Sequence, residues 1–144
     1  MRGAIAEAHL IRELTRLKTA GSIDGFEDFD QDGHPDCRVD VNGKSFLVEC
    51  KNVQRGTRGP ITIDFWRTRA PIGRPWERYY ATDEFQVVAA CLWNRTGNWE
   101  FRYAATVELP RHPSFTDRLT NKQTVEPSAP GLWTPDLIGL LSRL

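Results

Sequence analysis

Asp36, Glu49 and Lys51 are the residues whose types and spacing best fit catalytic chemistry in this sequence. Twelve residues separate the two carboxylates, and the lysine follows Glu49 by two positions. Carboxylate oxygens are hard ligands for divalent cations, and an ammonium group beside such a cation can face the water molecule that the cation holds. The three residues therefore predict a metal-dependent hydrolytic site, provided that the chain brings them together.

The stretch that joins these residues has the pattern of a β-hairpin. Asn42-Gly43 is a strong turn signal, because both central residues of a type I′ turn need a positive φ. A two-residue loop at this point fixes the register and sets Asp36 opposite Glu49. Alternation then predicts that Asp36, Glu49 and Lys51 share one face of the sheet and that the other, apolar face is the core.

Two carboxylates directly opposite each other call for a cation between them, because like charges destabilise a ladder. Lys51 alone is one candidate for that cation. A divalent metal uses the geometry better, since both carboxylates and the backbone carbonyl of Cys50 offer hard oxygen ligands. Such a site leaves coordination positions open for water and a phosphate oxygen.

Pro35-Asp36, followed after twelve residues by Glu49-Cys50-Lys51, resembles the signature of the PD-(D/E)XK nuclease superfamily, which has the restriction-endonuclease-like fold. The resemblance is best from the N-terminus to Lys51. It implies an α/β fold with a mixed central sheet flanked by helices. It also implies that Asp36 and Glu49 bind Mg²⁺, with Mn²⁺ as a substitute, and that Lys51 orients or activates the attacking water.

Glu7 is a further candidate. Residues 3–18 form a predicted helix with an apolar stripe at Leu10, Leu14 and Leu17. Glu7 falls close to that stripe, which aims its carboxylate toward the sheet. The resemblance implies that Glu7 joins the metal site, whereas the alternative is an acid in the first helical turn that the helix dipole favours.

The net charge is zero, yet the charges are segregated along the chain. Acidic residues prevail over residues 24–49 and basic residues over residues 51–78. An acidic metal site beside a basic tract is typical of proteins that cleave phosphodiester bonds. Four arginines interleaved with aromatic residues are predicted to hold a nucleic acid, DNA rather than RNA, unless they pack on the protein's own surface: Arg67, Arg69, Arg74 and Arg78.

An acidic segment before the hairpin has the pattern of a calcium-binding loop. Residues 28–36 match DxDxDGxxD, but Val39 stands where an EF-hand has its last ligand. The segment fits a solvent-exposed acidic turn before the hairpin better than a calcium site. The calcium site is the basis of the rival hypothesis of a non-catalytic module, stabilised by calcium, that binds a nucleic acid or a protein.

The remaining pattern predicts a single nuclease-like domain over residues 1–144, with its core over 1–105 and a proline-rich extension over 106–144. Predicted strands cover residues 22–29, 85–93 and 99–105, and a terminal helix covers 135–144. Residues 60–69 fit a strand, or a helix with Pro60 at its first position. The resemblance favours the helix.

Compartment and assembly follow from composition and length. No apolar run approaches the roughly twenty residues that span a bilayer, and no export signal is visible. Three cysteines without metal-ligand spacing fit a reducing cytoplasm. A chain of 144 residues leaves no room for a separate recognition domain, so an endonuclease of restriction, defence or recombination that cuts both strands would act as a homodimer.

Overall fold

The structure of the protein is a computed structural model that describes residues 2–29, 34–56, 58–65, 67, 70, 72–128 and 131–144. A hairpin lies at its centre, formed by β2 (Cys37–Val41) and β3 (Lys44–Asn52). Asn42 and Gly43 both have positive φ, at 51° and 77°, as a type I′ turn requires. Cys37 pairs with Val48, so the predicted register is confirmed.

Five strands form the main sheet in the order β1-β2-β3-β5-β6. The pairing of β3 with β5 is parallel and the other three pairings are antiparallel. The expected mixed central sheet is therefore confirmed, with β3 as its middle strand. The other three strands are β1 (Gly25–Asp28), β5 (Val87–Cys91) and β6 (Phe101–Ala105).

Helices cover one face of this sheet. The N-terminal helix α1 (Arg2–Thr19) buries the predicted stripe of Leu10, Leu14 and Leu17 against the sheet. The short helix α2 (Trp93–Thr96) connects β5 to β6, and α3 (Leu137–Ser142) packs against β6 and contributes to the same core cluster as α1. The apolar face of the hairpin packs against these helices, and together they form the first core of the protein, as expected.

The other face of the sheet is also covered, which the sequence analysis did not predict. Strands β4 (Thr62–Asp64) and β7 (Lys122–Thr124) form a second sheet, and a second core lies between it and the main sheet. Leu47 and Val53 of the hairpin strand and its continuation face this second core. The expectation of one buried face and one face left for chemistry is therefore wrong.

Two further expectations need correction. The helix opened by Pro60 is wrong, because Ile63 and Phe65 are buried while Asp64 between them is exposed, which is the alternation of a strand. The proline-rich segment does more than wrap around the domain, since Leu119 and Trp133 are fully buried in the second core. Within the described part of the chain, no helix is long and apolar enough to cross a membrane.

We expect Gly43→Ala to lower the free energy of unfolding by about 1–2 kcal/mol, because a Cβ in the left-handed region carries a steric cost of that order. Chemical denaturation measures the change. Gly25→Ala is the matched control, since Gly25 has an ordinary φ and the nearest atom to an added Cβ is Asp40 Oδ2 at 3.8 Å. Equal losses in both variants would contradict the role of the turn.

Candidate functional site

Strand β3 carries Glu49 and Lys51 on the face that meets the second core. They pair with Val88 and Ala90 of β5, whose side chains are fully buried in that core. Glu49 retains only 8% of its surface, and Lys51 is half-buried. The structure thus confirms the shared face of the two residues, but it places them at the margin of an apolar core.

Asp36 lies immediately before β2 and is fixed to the opposite strand. Its Oδ2 accepts a hydrogen bond of 2.7 Å from the backbone N–H of Cys50, the residue between Glu49 and Lys51. Its backbone carbonyl accepts a second bond of 2.9 Å from Phe29 N–H. The carboxylate is therefore held at the position that the hairpin register predicts.

The two carboxyl groups interact directly. Burial raises the pKa of Glu49 to about 9, and a hydrogen bond with Asp36 and the negative charge of Asp36 add to this rise. Lys51 opposes the rise and Glu7 adds to it. At neutral pH Glu49 is therefore protonated, which avoids a buried negative charge beside Asp36.

The ammonium group of Lys51 is held by aromatic residues. Lys51 Nζ donates a hydrogen bond of 3.1 Å to the hydroxyl of Tyr80 and lies 4.9 Å from the centre of the Tyr80 ring. The Phe65 ring is 5.6 Å away. Burial lowers the pKa of Lys51, but interactions with Tyr80, Glu49 and Asp36 outweigh burial and leave the pKa raised. Lys51 is accordingly a cation at neutral pH.

Tyr80 is the site residue that sequence reasoning missed. Its ring lies between Lys51 and Arg67, whose guanidinium carbon is 4.6 Å from the ring centre. Arg67 also forms an ion pair with Glu84, and Glu84 accepts a hydrogen bond from Ala81 N–H. Nothing in the local pattern around Tyr80 indicates that its hydroxyl reaches a lysine 29 residues earlier.

Glu7 lies in the second turn of α1, so the alternative that it is an acid of the first turn is wrong. The residue is half-buried. Its negative charge contributes to the raised pKa of Cys37, Cys50 and Glu49, which puts it within electrostatic reach of the acidic pair.

The predicted nucleic-acid-binding arginines lie in different surroundings. Arg67 is engaged with Glu84 and Tyr80, and Arg78 donates a hydrogen bond from Nε to the carbonyl of Arg67. Arg74 is exposed and forms a loose ion pair of 3.4 Å with Glu77. Arg69 lies outside the described residues, as do residues 30–33 of the calcium-type loop.

Asp36, Glu49 and the Cys50 backbone carbonyl are the oxygen groups that could hold a divalent cation, although among the described residues no three His, Cys, Asp or Glu side chains gather as a metal cluster. The predicted set of ligands contains only two such side chains, the carboxylates of Asp36 and Glu49, and its third member is the Cys50 backbone carbonyl. The raised pKa of Glu49 comes first from burial and then from the negative charges of Asp36 and Glu7, and these charges would favour a cation beside Glu49. A bound cation would take over the role of the proton on Glu49.

The class that these observations define is an α/β fold with a mixed five-stranded sheet flanked by helices, in which the middle strand carries Glu49 and Lys51 and the neighbouring strand β2 begins just after Asp36. The fold is similar to that of a bacterial homing endonuclease, I-Ssp6803I, with a TM-score of 0.59. The similarity covers 88% of this chain and 76% of that chain at 16% sequence identity, and it therefore concerns the fold alone. No family model matches the sequence, and no curated protein matches it at a significant level.

We expect Glu49→Gln to stabilise the metal-free protein at alkaline pH. The pKa of Glu49 is about 9 in the folded protein and near 4.5 in the unfolded chain. Protonation of Glu49 therefore makes its full contribution to the free energy of unfolding below about pH 4.5, and this contribution is lost as the pH rises through 9. Glutamine remains neutral throughout. Thermal unfolding in EDTA from pH 5 to 9 should show that the Tm of Glu49→Gln exceeds that of the wild type by an amount that grows with pH. The difference should be about 2–4 °C for each kcal/mol of difference in the free energy of unfolding.

The control for this experiment is Glu126→Gln, which removes an exposed carboxylate in the C-terminal segment. Its Tm should stay parallel to that of the wild type over the whole pH range. A Glu49→Gln curve that is also parallel to the wild type would contradict the raised pKa of Glu49.

Proposed function

We propose that the protein is a metal-dependent nuclease that hydrolyses phosphodiester bonds of DNA. The observation that carries this proposal is the placement of Glu49 and Lys51 on one face of β3, with the carboxylate of half-buried Asp36 held beside them by the N–H of Cys50. The similarity in fold to a homing endonuclease supports the same reaction class. A role in restriction, defence or recombination fits this activity, and the three free cysteines fit the reducing cytoplasm expected for it.

Asp36, Glu49 and the backbone carbonyl of Cys50 would hold the metal, which we propose to be Mg²⁺, with Mn²⁺ able to substitute. The ion would lower the pKa of a bound water and polarise the scissile phosphate. Asp36 is already oriented for this role, because the Cys50 N–H fixes one of its oxygens. Glu7 is close enough to add negative charge to the site from the helix side.

Lys51 would act as a fixed cation rather than as a base. Its raised pKa keeps the proton on Nζ at neutral pH, so Nζ can donate hydrogen bonds to a water or to a phosphate oxygen that gains charge. The Tyr80 hydroxyl and the Tyr80 and Phe65 rings limit the positions that Nζ can occupy. Tyr80 is in this view a positioning residue.

Substrate binding would use the basic tract after β3. Arg74 is the most exposed of the described candidates, and Arg67 and Arg78 are fixed next to it by their contacts with each other. Each phosphate that such residues neutralise releases counterions, so binding should weaken as salt increases. Cleavage of both strands of a duplex would require two copies of the chain, which is why we propose a homodimer on such substrates.

We expect Lys51→Ala to lower the rate of Mg²⁺-dependent cleavage by about a hundredfold or more, because the lost charge acts on the transition state. Metal binding should survive, since Lys51 is a cation and not a ligand. The measurement is cleavage of supercoiled, linear and single-stranded DNA and of RNA, with and without Mg²⁺ or Mn²⁺. The rise in Tm that these ions cause reports metal binding separately.

Two variants complete this experiment. Lys44→Ala removes an exposed lysine at the turn end of the same strand and should cleave at the wild-type rate. Asp36→Asn should lose both cleavage and the rise in Tm with metal. If pure wild-type protein cleaves none of the substrates, or if Lys51→Ala cleaves as the wild type does, the nuclease assignment is wrong and a non-catalytic binding module takes its place.

We expect Arg74→Ala to reduce the dependence of duplex DNA affinity on salt by a slope of about 0.9, the value for one phosphate contact. Its Tm should not change, because the side chain is exposed. Arg67→Ala should also reduce the slope. It should lower the Tm as well, because it removes the ion pair with Glu84 and the contact with the Tyr80 ring. Arg143→Ala, which breaks a surface ion pair on α3's C-terminal side, is the control. Unchanged slopes in both variants would indicate that these arginines pack on the protein's own surface and do not contact phosphates.

A further inference from the structure

Three aromatic rings form a continuous stack beside α1 and α2. The ring of Trp99 lies parallel to that of His9, with centres 3.9 Å apart, and parallel to that of Trp93, with centres 4.5 Å apart. Trp93 is the outer member on its side and leaves 41% of its surface exposed. An indole at the end of a stack offers a flat face to another aromatic ring.

A groove of about 680 Å³ opens against this outer tryptophan. Its lining includes Trp93, Asn52, Arg55 and Asn94. Arg55 is exposed, and no described carboxylate pairs with it. Asn94 is fixed, because its side-chain amide donates a hydrogen bond of 2.9 Å to the carbonyl of Val53. The groove thus combines a stacking surface with amide groups and a positive charge.

A second groove, of about 520 Å³, continues on the other side of Trp99 and is lined by three arginines, Arg12, Arg16 and Arg102. Arg12 has no ion-pair partner among the described residues. Arg102 donates its hydrogen bonds to backbone carbonyls, which leave its charge uncompensated. Glu13 also lines this groove and is paired with Arg16, so each neutralises the other. The remaining charges of the groove are those of Arg12 and Arg102 against that of Glu100, and positive charge prevails.

We propose that these two grooves form one binding surface for an unpaired segment of a nucleic acid, in which a base stacks on Trp93 and phosphates follow the arginines. Stacking on an aromatic side chain combined with a basic path is how proteins hold single strands with little sequence preference. A base within a duplex cannot use this surface, because both of its faces are covered by neighbouring base pairs. Arg55 and Arg12 are the phosphate contacts, one in each groove.

The position of the surface ties it to the candidate nuclease site, so the inference deepens the proposed function and in part rests on it. Asn52, which lines the first groove, directly follows Lys51 on β3. An unpaired base on Trp93 therefore lies at the same strand end as the proposed cleavage site. The substrate class that this arrangement selects is single-stranded, gapped or flapped nucleic acid rather than continuous duplex.

The test is the affinity for a fluorescently labelled single strand of thymidines, measured by anisotropy in EDTA so that no cleavage occurs. Trp93→Ala should weaken this affinity by about 5- to 100-fold, as expected when one stacked base is lost. Trp93→Phe should retain most of it, because phenylalanine keeps a stacking face. Arg12→Ala and Arg55→Ala should each reduce the salt slope by about 0.7, the value for single strands.

Two controls separate this inference from the nuclease assignment. Val107→Ala trims an exposed apolar side chain elsewhere and should bind as the wild type does. The affinity of Trp93→Ala for a blunt duplex of the same length should equal that of the wild type. Unchanged single-strand affinity in Trp93→Ala overturns the inference even if the wild type cleaves DNA. A loss of affinity confined to single strands supports the inference even if the wild type cleaves nothing.

Discussion

The burial of two ionisable side chains on the middle strand of the sheet is the constraint on which the rest of the structure depends. Charged groups are costly in an apolar core unless each has a partner. Glu49 avoids this cost by remaining protonated beside Asp36, and Lys51 is stabilised by the Tyr80 hydroxyl and two aromatic rings. The segment before β2 and the long connection after β4 must therefore converge on β3, because each brings one of these partners.

The parts of the fold that could be predicted from the sequence are those with a local cause. The Asn42-Gly43 turn fixes the hairpin register, and through it the hydrogen bond between Asp36 and Cys50. The small sheet could not be predicted, since β4 pairs with β7 and no local signal connects strands so far apart in the chain. For residues 60–69 the sequence fits both a strand and a helix, and the choice of the helix was wrong because the pairing of β4 with β7 that decides it is remote in sequence.

The residues of the candidate site also differ in whether local sequence or contacts remote in sequence determine their positions. Its acidic pair and lysine follow from spacing on one hairpin, whereas Tyr80 is held by contacts that are remote in sequence. The Tyr80 carbonyl accepts a hydrogen bond of 2.8 Å from Leu119 N–H, so the proline-rich segment helps to place the residue that holds Lys51. Arg67 could be predicted as a basic residue of the tract, but its pairing with Glu84 depends on the same long connection.

Strand alternation also places the two proposed sites, the candidate nuclease site and the groove at Trp93, on opposite faces of the end of β3. Lys51 faces the second core and the acidic pair, while Asn52, the next residue, lines the groove beneath Trp93. A ligand that reaches both surfaces must bend around the end of one strand. Duplex DNA resists such a bend, because its persistence length is about 50 nm. An unpaired strand is flexible enough to follow it, so the two proposed sites at this end of β3 would favour an unpaired nucleic acid as the ligand.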